Sequence, residues 1–201
     1  MRMLSHDTLT RLDQLYTQVY RDNYGILMAF HRDQLPVPQE LQVAAEISLS
    51  NRCIIALRAL DREISNRKML FSHLAELEAI ATESNQLHCH LQLPEAKPTL
   101  EKLILRSLWQ LIFDANSDTL EGDVRYIERL IKLGNQLNLN LSLARCQELY
   151  FSCLQTRLIP QCQLAMQGEV KTNWNISQLR QLLQLGENLA VDVSLWLHQL
   201  P

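Results

Sequence analysis

The sequence predicts an all-α protein, a bundle of about six to eight helices whose antiparallel neighbours are joined by short loops. Three observations predict it. Leucine supplies about one residue in five, while Val, Thr and aromatic side chains are sparse, and that composition favours helices over strands. Apolar residues recur at three-and-four spacing along most of the chain, which places them on one helix face. Only five glycines and six prolines interrupt 201 residues, so few positions are able to break a helix.

Each element follows from that spacing. Leu9, Leu12, Tyr16, Val19, Tyr20, Leu27 and Phe30 form one stripe, so a first helix is expected to about Gln34. Pro36 and Pro38 break it, and Pro38 suits the first position of a second helix, where its missing N–H is not needed. Leu41, Ala44, Ala45, Ile47, Ile54, Ile55, Leu57 and Leu60 carry that helix towards Glu63. Asn66 is expected to cap a third helix, lined by Met69, Leu70, His73, Leu74, Leu77 and Ile80 and stopping at Ser84-Asn85. A fourth follows Pro98, with Leu100, Leu103, Ile104, Leu108, Leu111 and Ile112 inward; a fifth, capped by Asp118 or Thr119, ends at Gly134. A sixth begins at Ser142 and is kinked or ended by Pro160. From Trp174 the chain reads as one more amphipathic helix and a short terminal piece. The chain length suits a single helical domain over residues 1–201, with a subdivision, if present, near 84–98.

One internal correspondence links two of these boundaries. Leu133-Gly134-Asn135-Gln136-Leu137-Asn138-Leu139-Asn140-Leu141-Ser142-Leu143 matches Leu185-Gly186-Glu187-Asn188-Leu189-Ala190-Val191-Asp192-Val193-Ser194-Leu195. The expectation is a reused helix junction. Gly134 and Gly186 would supply the left-handed residue that closes a helix, and Ser142 and Ser194 would cap the next one. Two copies are too few for a solenoid.

Charge and cysteine content narrow the function classes. The net charge is −3 with a pI near 6.1, so no overall field draws the chain to nucleic acid or to an anionic membrane. The longest apolar runs, such as Cys53 to Leu57, fall short of the ~20 residues of a membrane span, and the polar N-terminal residues are unlike a secretory signal. Cys53, Cys89, Cys146, Cys153 and Cys162 are odd in number and form no CxxC pair. They read as reduced, cytoplasmic thiols used as small core residues.

The stretch Leu87-His88-Cys89-His90-Leu91 is the one candidate for metal chemistry. Ligation needs side chains converging within ~2.1–2.3 Å of one ion. On a helix His88 and His90 diverge by about 200°; in an extended link they share a face and Cys89 turns away. Two readings follow: solvent-facing histidines on a loop, or a two-histidine site completed by distant carboxylates. The i, i+2 carboxylates Asp61/Glu63 and Glu76/Glu78 diverge on a helix, whereas Glu63 and Arg67 have salt-bridge spacing. Cys146 and Cys153 share a face but lie about 10 Å apart, too far for a bond or a shared ion. The basic stretch from Arg58 to Lys68 is interleaved with acids and reads as a solvated face. Trp109, Trp174 and Trp196 fit core or interface roles better than sugar stacking. No Gly-rich phosphate loop or GxSxG occurs. No catalytic residue and no cofactor is assigned.

Three segments together resemble a known family: Leu35-Pro36-Val37-Pro38-Gln39-Glu40-Leu41-Gln42-Val43-Ala44-Ala45-Glu46, then Leu139 to Phe151, then Trp174 to Leu189. In that order they are similar to the uncharacterised C-terminal helical domain of bacterial proteins related to family 57 glycoside hydrolases, the alpha-amylase and alpha-mannosidase-like group. The similarity spans nearly the whole chain through helix-junction patterns. It implies a non-catalytic accessory domain, a piece of a longer protein, packed on a catalytic barrel that carries the carboxylate pair and helping to wall a glycan cleft. The alternative is a freestanding interaction or dimerisation module with a helix-in-groove surface.

Overall fold

The computed structural model describes residues 6–62, 67–113, 119–166 and 174–200. All regular structure among them is helical, in the order α1 (His6–Asp22), α2 (Tyr24–Arg32), α3 (Gln39–Arg62), α4 (Arg67–Gln86), α5 (Ala96–Phe113), α6 (Leu120–Gln136), α7 (Ala144–Cys153), a π turn (Leu154–Leu158), α8 (Ile159–Met166), α9 (Ile176–Asn188) and α10 (Ser194–Gln199). The all-α expectation holds. The Asn66 cap, the Asp118 cap and the Glu63 partner of Arg67 lie outside the described residues.

The chain divides into two compact units, one of residues 1–97 with 136–139, the other of 98–135 with 140–201. In the first, α3 packs on both α1 and α4, burying Leu27, Leu49, Leu57, Leu60, Leu74 and Ile80. In the second, the described core includes Leu103, Leu108, Ile127, Tyr150, Leu183 and Leu185. Burying a leucine contributes about 1.5–3 kcal/mol, so these leucine stripes are the main source of stability in each unit.

The predicted first helix is broken. Asn23 turns its side chain back on the helix, Nδ2 donating to the Val19 carbonyl at 2.8 Å, and this local bond competes with helix propagation. Its own carbonyl accepts from Leu27 N at 3.0 Å and starts α2. Leu12, expected on the inner face, is exposed, as is Leu15; on α1 Tyr20 is buried. Ile55 and Met69 are also exposed rather than inward. Pro38 stands just outside α3, its carbonyl accepting from Leu41 and Gln42. Pro160 does not end the helical run but stands in the first turn of α8, directly after the π turn, which widens the ladder where proline offers no N–H.

The helix junctions show the order of the chain most clearly. Non-glycine residues adopt left-handed φ at Gln34 (55°), His88 (52°), Asn138 (54°) and Ala190 (57°), as does Asn140 within the third junction. Successive junctions therefore lie 54, 50 and 52 residues apart. In the first, the Leu35 N–H donates to Phe30 O at 2.9 Å and Gln34 N to His31 O at 3.2 Å. Cys89 N to Ser84 O with His88 N to Asn85 O, and Val191 N to Gly186 O with Ala190 N to Glu187 O, repeat it. These paired bonds are the Schellman closure of a helix end. The correspondence at Gly134 and Gly186 is thus a four-copy pattern: helix, left-handed closure, short link, helix.

Two expectations about that motif are corrected. Gly134 and Gly186 are not the left-handed residues; they sit inside α6 and α9, four positions earlier. They are small for packing reasons, because a Cβ on Gly134 would collide with the Leu141 side chain and one on Gly186 would meet Tyr150 Oη at 2.5 Å. Ser142 and Ser194 do not cap. Helix α7 starts after Leu143 without a side-chain cap, and Ser194 Oγ donates to Asp192 Oδ1 at 2.7 Å, a bond that holds the Asp192 carboxyl below its ordinary range.

Gly186→Ala is expected to lower stability by about 1–3 kcal/mol, the cost of overpacking. Gly25→Ala, where a Cβ meets nothing within 4 Å, is expected to raise it by about 0.5–1 kcal/mol. Chemical denaturation midpoints of the two variants check both signs.

Candidate binding cleft

In the first unit the trailing helix of one pair grips the junction of the next. Gln42 Nε2 on α3 donates to the carbonyls of Leu87 and His88, at 3.4 and 3.2 Å. Four residues on, Glu46 Oε1 accepts from His90 N at 3.1 Å; a further turn along, Ser50 Oγ accepts from Gln92 N at 3.0 Å. The backbone polar groups that a helix end and its link leave over are thereby satisfied by side chains. The second unit repeats the device. Glu101 Oε1 accepts from Ser142 N at 2.6 Å, and Gln147 Nε2 donates to Leu189 O at 2.9 Å.

Between the first two junctions lies an open cleft of about 1040 Å³. Phe30, Leu35 and Val37 give it an apolar wall, while His31, Gln42 and His88 bring polar groups to it. Its lining holds no carboxylate, so the two-carboxylate chemistry of glycoside hydrolysis has no groups there. The second unit carries a smaller cleft of about 170 Å³ lined by Glu121, Arg125 and Glu128 among others. Both carboxylates are engaged: Glu121 pairs with Arg125 at 3.0 Å, and Glu128 accepts from Asn188 Nδ2 at 3.1 Å.

A polar cluster ties α1 to the rest of the first unit. Tyr20 Oη donates to Glu83 Oε1 at 2.5 Å, and Arg52 Nη1 meets Glu83 Oε2 at 3.1 Å. Burial first, and then the bond to Glu83, push the Tyr20 phenol up. Its proton stays in place and donates. The cluster fixes helix positions and opens onto no cleft described above.

The candidate residues of the sequence fall as follows. His88 is exposed and left-handed rather than extended, and His90 is exposed. The apolar side of that link does face inward, with Leu87 and Leu93 buried. What the structure brings to His88 is His31, their rings 6.1 Å apart between centroids. Among the described residues no group of three or more His, Cys, Asp or Glu side chains is placed to hold one ion. All five cysteines are free thiols, Cys53, Cys146, Cys153 and Cys162 buried and Cys89 partly so. Burial pushes the thiols of Cys53 and Cys89 up to about 12 and that of Cys146 to about 11. Glu76 is exposed, and Arg58 pairs across an exposed surface with Glu95 at 3.0 Å. Trp174 is buried, Trp196 half-buried and Trp109 51 % exposed.

Trp109 does not stand alone. Phe113, one turn on and 48 % exposed, stacks against it at 4.8 Å between centroids. The Arg157 guanidinium lies 5.3 Å from the Phe113 ring centre and its Nη1 donates to Ile112 O at 2.6 Å. The π turn aims that arginine. Position alone on α5 would have predicted an exposed pair, since Trp109 and Phe113 fall off the Leu103, Leu108, Leu111 and Ile112 face.

The chain matches no protein-family model, no curated protein and no solved structure. No described helix is long and apolar enough to cross a membrane.

Two outcomes follow from the thiols and phenols. The folded state holds protons that the unfolded chain releases near the ordinary thiol value of 9.0, so stability is full below about pH 9 and falls as pH rises towards about 12. Urea midpoints between pH 7 and 10.5 are expected to show that decline, with a shallower slope in Cys53→Ala. At pH 7.5, alkylation by iodoacetamide should label Cys89 ahead of the four buried thiols, read by peptide mass mapping.

Proposed function

We propose that this chain is a non-catalytic helical accessory domain that packs on a protein partner, the partner being the catalytic barrel of a glycoside hydrolase-like protein. The observation that carries the packing role is the exposed Trp109–Phe113 stack held by Arg157. Aromatic and arginine side chains are the residues that anchor protein interfaces. The identity of the partner is supported by the three sequence segments described above, including Leu35 to Glu46 and Leu139 to Phe151. On this reading the apolar-walled cleft of the first unit is the surface that borders glycan, and hydrolysis belongs to the barrel.

A second reading is a freestanding interaction or dimerisation module. It is favoured by the four-copy junction pattern, since tandem helical pairs are a common scaffold for protein recognition. The readings differ in a simple assay. Added in trans to a glycoside hydrolase-like barrel whose own helical region has been removed, the chain is expected to restore hydrolysis. Trp109→Ala combined with Phe113→Ala is expected to cut that restoration at least tenfold while leaving the chain folded, with an unchanged far-UV circular dichroism spectrum and a stability cost of about 1–3 kcal/mol. Failure of the unmodified chain to restore activity, together with self-association by light scattering, would establish the second reading instead.

A further inference from the structure

We propose that His31 and His88 form a two-imidazole site for a divalent transition ion of the zinc, nickel and copper class. His31 lies in the last turn of α2 and His88 is the left-handed residue that closes α4, so two junctions 54 residues apart in sequence bring the rings together. Their centroids are 6.1 Å apart and their planes inclined at 62°. An ion bound to one nitrogen of each ring lies about 3.2 Å from each centroid, from Zn–N bonds of about 2.0–2.1 Å. Twice that reach is close to the observed separation, so the site asks only that each ring turn one nitrogen towards a shared ion.

The surroundings suit an ion. Both rings line the open cleft of about 1040 Å³, which leaves space for water to complete the coordination. The backbones that carry them are fixed beforehand. The His31 carbonyl accepts from Gln34 N at 3.2 Å and the His88 carbonyl from Gln42 Nε2 at 3.2 Å, so the backbone that carries each ring is held in place. Arg32, the cation in the lining, is compensated by Asp33 at 2.9 Å. Imidazole is the ligand of choice for these ions, whereas magnesium and calcium seek carboxylates that the cleft does not present. The site is distinct from the His88/His90 pair that the sequence suggests, and it does not depend on the accessory-domain reading.

The test is calorimetric titration of the full chain with zinc chloride and, separately, with nickel chloride in a non-chelating buffer, paired with thermal melts. One ion per chain is expected, with a melting temperature that rises with ion concentration. His31→Ala is expected to weaken binding at least tenfold. His88→Asn should do the same while keeping the fold, because Asn138 occupies the equivalent left-handed position in the third junction and asparagine tolerates it. His90→Ala should leave binding within twofold. The proposal is overturned if neither ion binds stoichiometrically, if His90→Ala weakens binding as much as His88→Asn, or if well-folded His31→Ala retains full affinity.

Discussion

The constraint on which the structure depends is the disposal of backbone hydrogen-bonding groups where each helix stops. Four helices end in a residue with left-handed φ, and none of those residues is glycine. Two devices offset the strain of that conformation. Schellman bonds close the helix from within at Gln34, His88 and Ala190, and Gln42, Glu46, Glu101 and Gln147 bond to the second, third and fourth junctions from a neighbouring helix. A side-chain carboxylate or carboxamide in the right turn of a helix thus fixes a neighbouring junction within the same unit. Leucine burial supplies the driving force, but it is non-directional; the braces select the arrangement.

The same device positions the larger cleft. The first cleft exists because the junctions after α2 and α4 stand side by side, linked through Gln42. His31 meets His88 for the same reason. In the second unit Tyr150 leans on Gly186 and donates to Leu182 O at 2.8 Å, and the π turn that follows sends Arg157 back to Ile112 and Phe113. The candidate sites are therefore by-products of how helix ends are satisfied, and the substitutions that test them separate site from scaffold only where the junction residue can be replaced in kind.

Much of this was legible from residues alone. Spacing of leucines gave the helices, and the pair Leu133-Gly134 and Leu185-Gly186 gave the repeated junction. The remaining copies were hidden by chemistry at the variable positions. Asn85-Gln86-Leu87-His88 is the same closure as Asn135-Gln136-Leu137-Asn138, yet two histidines around a cysteine read as a metal question instead of a helix end. Gln34, followed by Leu35-Pro36-Val37-Pro38, conceals the first copy. The role of the glycines was misassigned because a glycine near a helix terminus usually relieves left-handed strain, whereas here it makes room for Leu141 or Tyr150. The His31–His88 pairing was out of reach, since no local pattern relates residues so distant in sequence.

A chain punctuated in this way has a natural unit of length. Losing a few residues inside α5 would slide Glu101 off its junction with Ser142, so short deletions there are severe. Excising some fifty residues from one left-handed closure to the next removes a helix pair whole and rejoins like to like. Evolution of such a protein proceeds most easily by duplication or loss of complete pairs, and its relatives would differ in size by steps rather than gradually.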